Sequence, residues 1–217
     1  MALLAVSMYA QKDVTTFLGI PVDGYKSEMK QKLISKGYVP KKIGDNEFFE
    51  GEFNGVDVHI YIAPNNNKVY RIMLCDANTR SEADIKIRFN TLVSQFQNNK
   101  KYTSLEDYTL SESEDISYNM AVRKKNYDAL FYQVPNMEKV DTLALQEHVR
   151  GEILKKYSPE QLENPSEEIS KEAESIAMRM GMIFKKPVWF RICEHYGEYY
   201  ITMFYDNEYN HANGEDL

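Results

Sequence analysis

Residues 47–77, EFFEGEFNGVDVHIYIAPNNNKVYRIMLCDA, decide the fold. At their centre Asn54-Gly55 is the strongest hairpin signal in the chain, because both residues tolerate the positive φ angles of a type I′ turn. Strand-like runs flank it at Glu47 to Phe53 and Val56 to Ala63. A third run, Val69 to Ala77, follows Pro64-Asn65-Asn66-Asn67, and a fourth, Tyr38 to Ile43, precedes Gly44-Asp45. Strands joined by turns this short pair antiparallel, so the segment predicts an antiparallel sheet.

Helical signals bracket it. Upstream, a strand is expected over Thr16 to Val22, stopping at Asp23-Gly24, with Pro21 marking an edge or strand end. From Ser27 a helix places Met29, Leu33 and Ile34 toward the core and stops at Gly37. Downstream, Ser81-Glu82-Ala83-Asp84 opens a helix whose apolar stripe is Ile85, Phe89, Leu92, Val93 and Phe96. Ile116 to Val122 and Tyr127 to Val134 read as a further hairpin across Lys124-Lys125-Asn126. Helices follow over Thr142 to Tyr157 and from Ser166 to near Gly181, separated by Ser158-Pro159 and Asn164-Pro165. A last hairpin, Val188 to His195 and Tyr199 to Tyr205, turns at Tyr196-Gly197-Glu198. The fold class expected is α+β: a largely antiparallel sheet with helices packed on one face. Residues 11–217 read as a single domain, with 100–114 the place to divide it if two subdomains exist.

The chain of 217 residues is long enough to bury a core without metal or disulfide staples. It carries a net charge of -7, and its basic residues fall in scattered pairs such as Lys41-Lys42 and Lys155-Lys156. That distribution repels polyphosphate, so nucleic-acid binding is not expected. The 16 Tyr and 10 Phe are a high aromatic content, suited to strands with one wet face.

The longest apolar stretch, Ala2 to Ala10, ends abruptly at Gln11-Lys12-Asp13. It is too short to span a bilayer and reads as the end of a secretory signal, with Ala10 before the cleavage point and a periplasmic or secreted mature chain from Gln11. No Lys or Arg precedes the run, and Met8 stands where a small residue is usual. A short buried strand is the alternative. No Cys follows it, which argues against a lipid anchor. Cys75 and Cys193 are the only cysteines. A bridge between them would contribute up to about 4 to 5 kcal/mol in the chain-entropy model, and two separately buried thiols are the simpler reading.

FLGIPVDG (17–24) with KSEMKQKLISKGY (26–38), NNNKVYRIML (65–74) and the ending VWFRICEHYGEYYITMFYDNEYNHANGEDL (188–217) resemble segments of small exported proteins from anaerobic gut bacteria, a group without an assigned activity. The resemblance implies export and a complete C-terminus. No catalytic residues come with it.

No P-loop, dinucleotide fingerprint, His-Glu-x-x-His, Gly-x-Ser-x-Gly or Cys-x-x-Cys is present, and no cofactor is expected. Four quieter groupings remain. Asp57, His59 and Tyr61 share one face of a strand, where a carboxylate beside an imidazole suits a base or two metal ligands. Trp189, Arg191, Cys193 and His195 share another, setting a thiol beside an imidazole. His148 and Glu152 stand one helical turn apart. The tail residues Asp206, Asn207, Glu208, Asn210, Asn213, Glu215 and Asp216 offer oxygen ligands without the order of a known calcium loop, Asp206 and Glu208 being the metal candidates. Tyr196, Tyr199, Tyr200, Tyr209 and Asn210 form the expected binding surface, since amphipathic Tyr rings suit a protein or glycan partner. The functional expectation is a non-catalytic binding module of the cell envelope. A hydrolase of envelope or glycan material, using dispersed carboxylates or the Asp57-His59 pair, is the competing reading.

Overall fold

The computed structural model describes residues 13–136, 142–183 and 186–211. The apolar run from Ala2 to Ala10 and the tail residues Asn213, Glu215 and Asp216 lie outside them. The chain divides into two compact units, Val14–Val134 with Lys185–Leu217, and Met1–Asp13 with Pro135–Phe184. The region 100–114 falls inside the first unit; the divisions lie at Asp13/Val14, Val134/Pro135 and Phe184/Lys185.

The first unit is built on an eight-stranded sheet of β3 (Val39–Ile43), β4 (Asn46–Phe53), β5 (Val56–Asn65), β6 (Lys68–Asp76), β7 (Tyr102–Thr103), β8 (Asp128–Gln133), β9 (Pro187–His195) and β10 (Glu198–Asp206). Their order is β3-β4-β5-β6-β10-β9-β8-β7, and every neighbouring pair is antiparallel. Asn54 (φ 55) and Gly55 (φ 74) turn β4 into β5, and Tyr196 (φ 52) and Gly197 (φ 81) turn β9 into β10, both as left-handed pairs.

Register separates the two faces cleanly. Phe49, Ile60, Leu74, Met203, Phe190 and Ala129 stand opposite one another across six strands and are all buried. One residue along each strand, the row is Glu50, His59, Cys75, Thr202, Arg191 and Asp128. Helices α1 (Lys26–Ser35) and α2 (Glu82–Gln97) cover the apolar face. Ser81 caps α2 by accepting from the Asp84 N–H, and the expected stripe from Ile85 to Phe96 is buried, Phe89 lying 5.1 Å from Phe190 and Phe96 4.8 Å from Phe131. α1 buries Met29 and Leu33 but leaves Ile34 exposed, because two anchors one turn apart already seat this short helix.

Two expectations are corrected. Thr16 to Val22 is not one strand: β1 (Thr16–Phe17) and β2 (Ile20–Pro21) fold back on each other around Leu18-Gly19. Ile116 to Val122 is not a strand either, since Ile116–Ala121 forms helix α3, capped by Asp115 accepting from the Tyr118 N–H at 2.8 Å. β8 therefore pairs with β7 and β9.

The second unit carries α4 (Thr142–Ile153), α5 (Pro159–Glu163) and α6 (Glu167–Ile183). Ile153, Ile169 and Ile176 form its core, with Val149, Tyr157 and Leu162 against them. The expected break between helices contains the short α5, where Pro159 occupies the first turn and the Ser158 N–H donates to Gln161 Oε1 at 2.9 Å. No described helix is long and apolar enough to cross a membrane.

Candidate functional site

The sequence-nominated residues scatter over the sheet. Asp57 is exposed and pairs in register with Glu52; His59 sits between Glu50 and Cys75, its Nε2 3.9 Å from Glu50 Oε1 and its ring edge-on to Phe48. Cys193 does not meet His195. Its sulfur lies 3.4 Å from Thr202 Oγ1, and Cys75 approaches the same hydroxyl from the other side at 3.6 Å. Because β10 runs between the strands carrying them, the two Cα atoms are about 10 Å apart, beyond the ~7 Å reach of a disulfide. Both thiols are free, and burial pushes that of Cys75 upward. His148 and Glu152 form an exposed surface pair at 3.8 Å that also takes in Lys155.

The tail candidates are committed to structure. Asp206 accepts Arg71 Nε at 2.6 Å and Nη2 at 2.8 Å, and Trp189 Nε1 at 2.9 Å, so a metal would have to displace a guanidinium. Asn210 donates to Asp23 and to the Val69 carbonyl, and Asn207 donates to the Val22 carbonyl. Glu208 is half-buried, and among the described residues no group of three or more His, Cys, Asp or Glu is placed to hold a metal ion. The tyrosines do not make one surface. Tyr196 is 93% exposed at the turn, Tyr199 is buried on the core face with its hydroxyl 2.7 Å from Ser117, and Tyr200 points to the opposite face. Tyr209 and Asn210 lie past the far end of β10, about 30 Å away along an extended strand.

A cavity that none of these residues lines opens on the helix-covered side of the sheet. It holds about 410 Å³, within the range of small-molecule sites. Its floor is Leu92, Phe96 and Tyr205, all buried, and its walls are Tyr38, Phe53 and Tyr102. The rim is Leu18, Glu52, Asn54, Gln95 and Asn99, all exposed.

Local structure explains each placement. Phe17 is the hub behind the walls: its ring centroid lies 5.0 Å from Tyr205, 5.5 Å from Phe53 and 6.4 Å from Tyr38, with planes tilted by 59°, 41° and 38°. Tyr38 crosses Gly51, where a Cβ would come within 2.5 Å of its ring, so a glycine in mid-strand makes room for this wall. Phe96 and Tyr102 meet edge to face at 4.6 Å. Leu18 reaches the rim from the tip of the β1–β2 hairpin. Gln133 anchors that hairpin by accepting the Thr16 N–H at 2.8 Å and donating to the Thr16 carbonyl at 2.7 Å, as a neighbouring strand would. Asn54 donates to Gln95 Oε1 at 2.6 Å, a strap from the β4–β5 turn to α2.

Burial and the neighbouring Tyr102 hydroxyl hold the Tyr205 phenol well above its usual range, and burial followed by the Glu52 charge raises that of Tyr38, so both stay protonated at neutral pH. Glu52 is the one carboxylate in the lining, and no His, Cys, Ser or Lys stands beside it to make an acid-base or nucleophilic pair. A groove of about 610 Å³ between α4 and α6 is walled by aliphatic side chains such as Val149, Ile153 and Ile169, the character of an interhelical packing seam. No protein-family model, curated protein or solved structure matches the chain.

Sequence reasoning missed this cavity. The lining comes from the β1–β2 tip, the residue before β3, the end of β4 with its turn, the end of α2, β7 and β10, and no local pattern links them. The one available signal was the abundance of Tyr.

Proposed function

We propose that the protein is a non-catalytic binding module whose ligand site is the aromatic cavity between α2, the β4–β5 turn and the tip of the β1–β2 hairpin. The observation that carries this is the gradient within one open cleft, from a buried apolar floor to an exposed rim of Glu52, Asn54, Gln95 and Asn99. A compact ligand with an apolar body and a polar edge matches it, and the rim amides supply orientation. The hydrolase reading has less support, because Asp57 and His59 line no part of the cavity and the lining has a single carboxylate. The N-terminal apolar run and the resemblance to exported proteins support a place in the cell envelope.

The test is a fragment titration of the full chain followed by NMR of labelled Tyr and Phe rings. Ligands should perturb Tyr38, Phe53, Phe96 and Tyr102 together, and Phe53→Ala should abolish the response while leaving the melting profile cooperative. Hits that instead perturb Tyr196 and Tyr200, or turnover of a glycan by the same sample, would overturn the proposal.

A further inference from the structure

We infer that the cavity selects a small organic cation, an alkylammonium head group in chemical class, over neutral or anionic ligands. This rests on the ligand-cavity reading above. Three features of the lining converge on it.

The first is the density of π surface. Tyr38, Phe53, Phe96, Tyr102 and Tyr205 all border one space of about 410 Å³. Each ring presents a face of negative potential, and several rings around one volume are the arrangement that holds quaternary ammonium groups. Burial holds the phenols of Tyr38 and Tyr205 above their ordinary range, so these two rings stay neutral.

Ring orientation is the second. Within the lining, Phe96 meets Tyr102 at 70°. Rings set at so steep an angle do not offer the parallel faces between which a flat aromatic ligand stacks. A tetrahedral ammonium with its methyl groups touches rings at any mutual angle; a planar ring does not.

Charge is the third. Glu52 stands at the rim without a Lys, Arg or His anywhere in the lining. Its carboxylate lies close enough to Tyr38 to bias that phenol, which places negative potential beside the cage. An anionic ligand would meet this charge with no partner of its own. The net charge of -7 on the whole chain steers in the same direction.

The experiment compares four probes on the full chain at low ionic strength: choline, tetramethylammonium, the uncharged choline isostere 3,3-dimethylbutan-1-ol, and a neutral methyl glycoside. Binding is read from ring resonances of Tyr38, Phe53, Phe96 and Tyr102. The expected result is that both cations shift these rings and that choline binds at least tenfold more tightly than its isostere. Glu52→Gln should weaken choline about fivefold and leave the isostere unchanged, while Tyr102→Ala weakens both. Equal affinity for choline and the isostere would overturn the cation inference and keep the cavity as a site. Response to the glycoside alone would do the same and assign the cavity to a saccharide. Failure of every probe to shift the lining rings, with fragment hits also absent there, would overturn both readings.

Discussion

The guanidinium of Arg71 and the carboxylate of Asp206 meet in a two-pronged pair between neighbouring strands β6 and β10, Nε to Oδ1 at 2.6 Å and Nη2 to Oδ2 at 2.8 Å. Asp206 is almost fully buried and Arg71 is 24% exposed. Trp189, stacked on Phe204 at 3.9 Å, donates to the same carboxylate, and the guanidinium lies over both rings. Truncating Asp206 would leave a cation against apolar rings. Asp206→Ala should therefore cost about 3 to 5 kcal/mol. Replacing the pair as Arg71→Met with Asp206→Leu should recover more than half of that. Urea denaturation followed by the fluorescence of Trp189, the single tryptophan, measures both. An unchanged midpoint for Asp206→Ala would show that the pair contributes no stability.

Leu18 adopts φ 51 at a turn position that Asn or Gly occupies at lower cost. A branched apolar residue there loses about 1 kcal/mol to backbone sterics. Leu18→Asn should raise the melting temperature by about 3 °C for a chain of this size. It also removes the apolar lip of the cavity, so ligand affinity should fall as stability rises. Calorimetry with and without ligand separates the two effects, and a lower melting temperature would refute the strain argument.

Gly51 leaves space that the Tyr38 ring fills, with Cδ1 at 2.5 Å from where a Cβ would stand. Gly51→Ala should cost about 1 to 3 kcal/mol through overpacking. The same substitution in a Tyr38→Ala background should be neutral or stabilising, because Ala is better than Gly within an extended strand. The coupling energy from the double-mutant cycle is the readout, and simple additivity would show that the ring and the glycine are independent.

Glu82 joins α2 to α3: its side chain accepts the Ile116 N–H at 2.7 Å and the Ser117 hydroxyl. The Ser117 hydrogen bond, with the backbone N–H groups behind it, holds the Glu82 carboxyl below its ordinary range. A depressed folded-state value means the stability it contributes is fully present above the unfolded value of about 4.3 and is lost as pH falls through the folded value. Glu82→Gln should thus flatten the acid limb of a stability-against-pH curve below about pH 5 and lower the plateau near pH 7. Tyr127 works at the other end of the scale. Burial and its hydrogen bond to Glu114 raise its phenol to about 12, so its contribution holds below the ordinary Tyr value and disappears as pH rises through 12.

The sheet was legible because its turns carry their own chemistry. Asn54-Gly55 and Tyr196-Gly197 announce the hairpins, and the alternation from Val56 to Ile62 assigns each side chain to a face. α3 was not, because Ile116, Tyr118, Met120 and Val122 alternate like a strand although burial follows Ile116 and Asn119, three apart. The cap at Asp115 outweighs the alternation. The tyrosines scatter for a related reason: adjacent Tyr199 and Tyr200 face opposite ways on a strand, so density in sequence is not density in space. The cavity is assembled from residues as distant as Leu18 and Tyr205, which only the folded chain brings together.

β8 and β9 lie side by side and antiparallel, yet the chain makes three helices before passing from one to the other. The seam is closed by the sheet itself, where the Gln133 N–H donates to the Lys186 carbonyl at 3.0 Å. The helices are thus a parenthesis set into a hairpin, and the strands on either side keep their register without reading what lies within it. A segment in that position is free to be lengthened, exchanged or lost over evolutionary time without re-pairing a strand. Chains that share this sheet should differ most between β8 and β9.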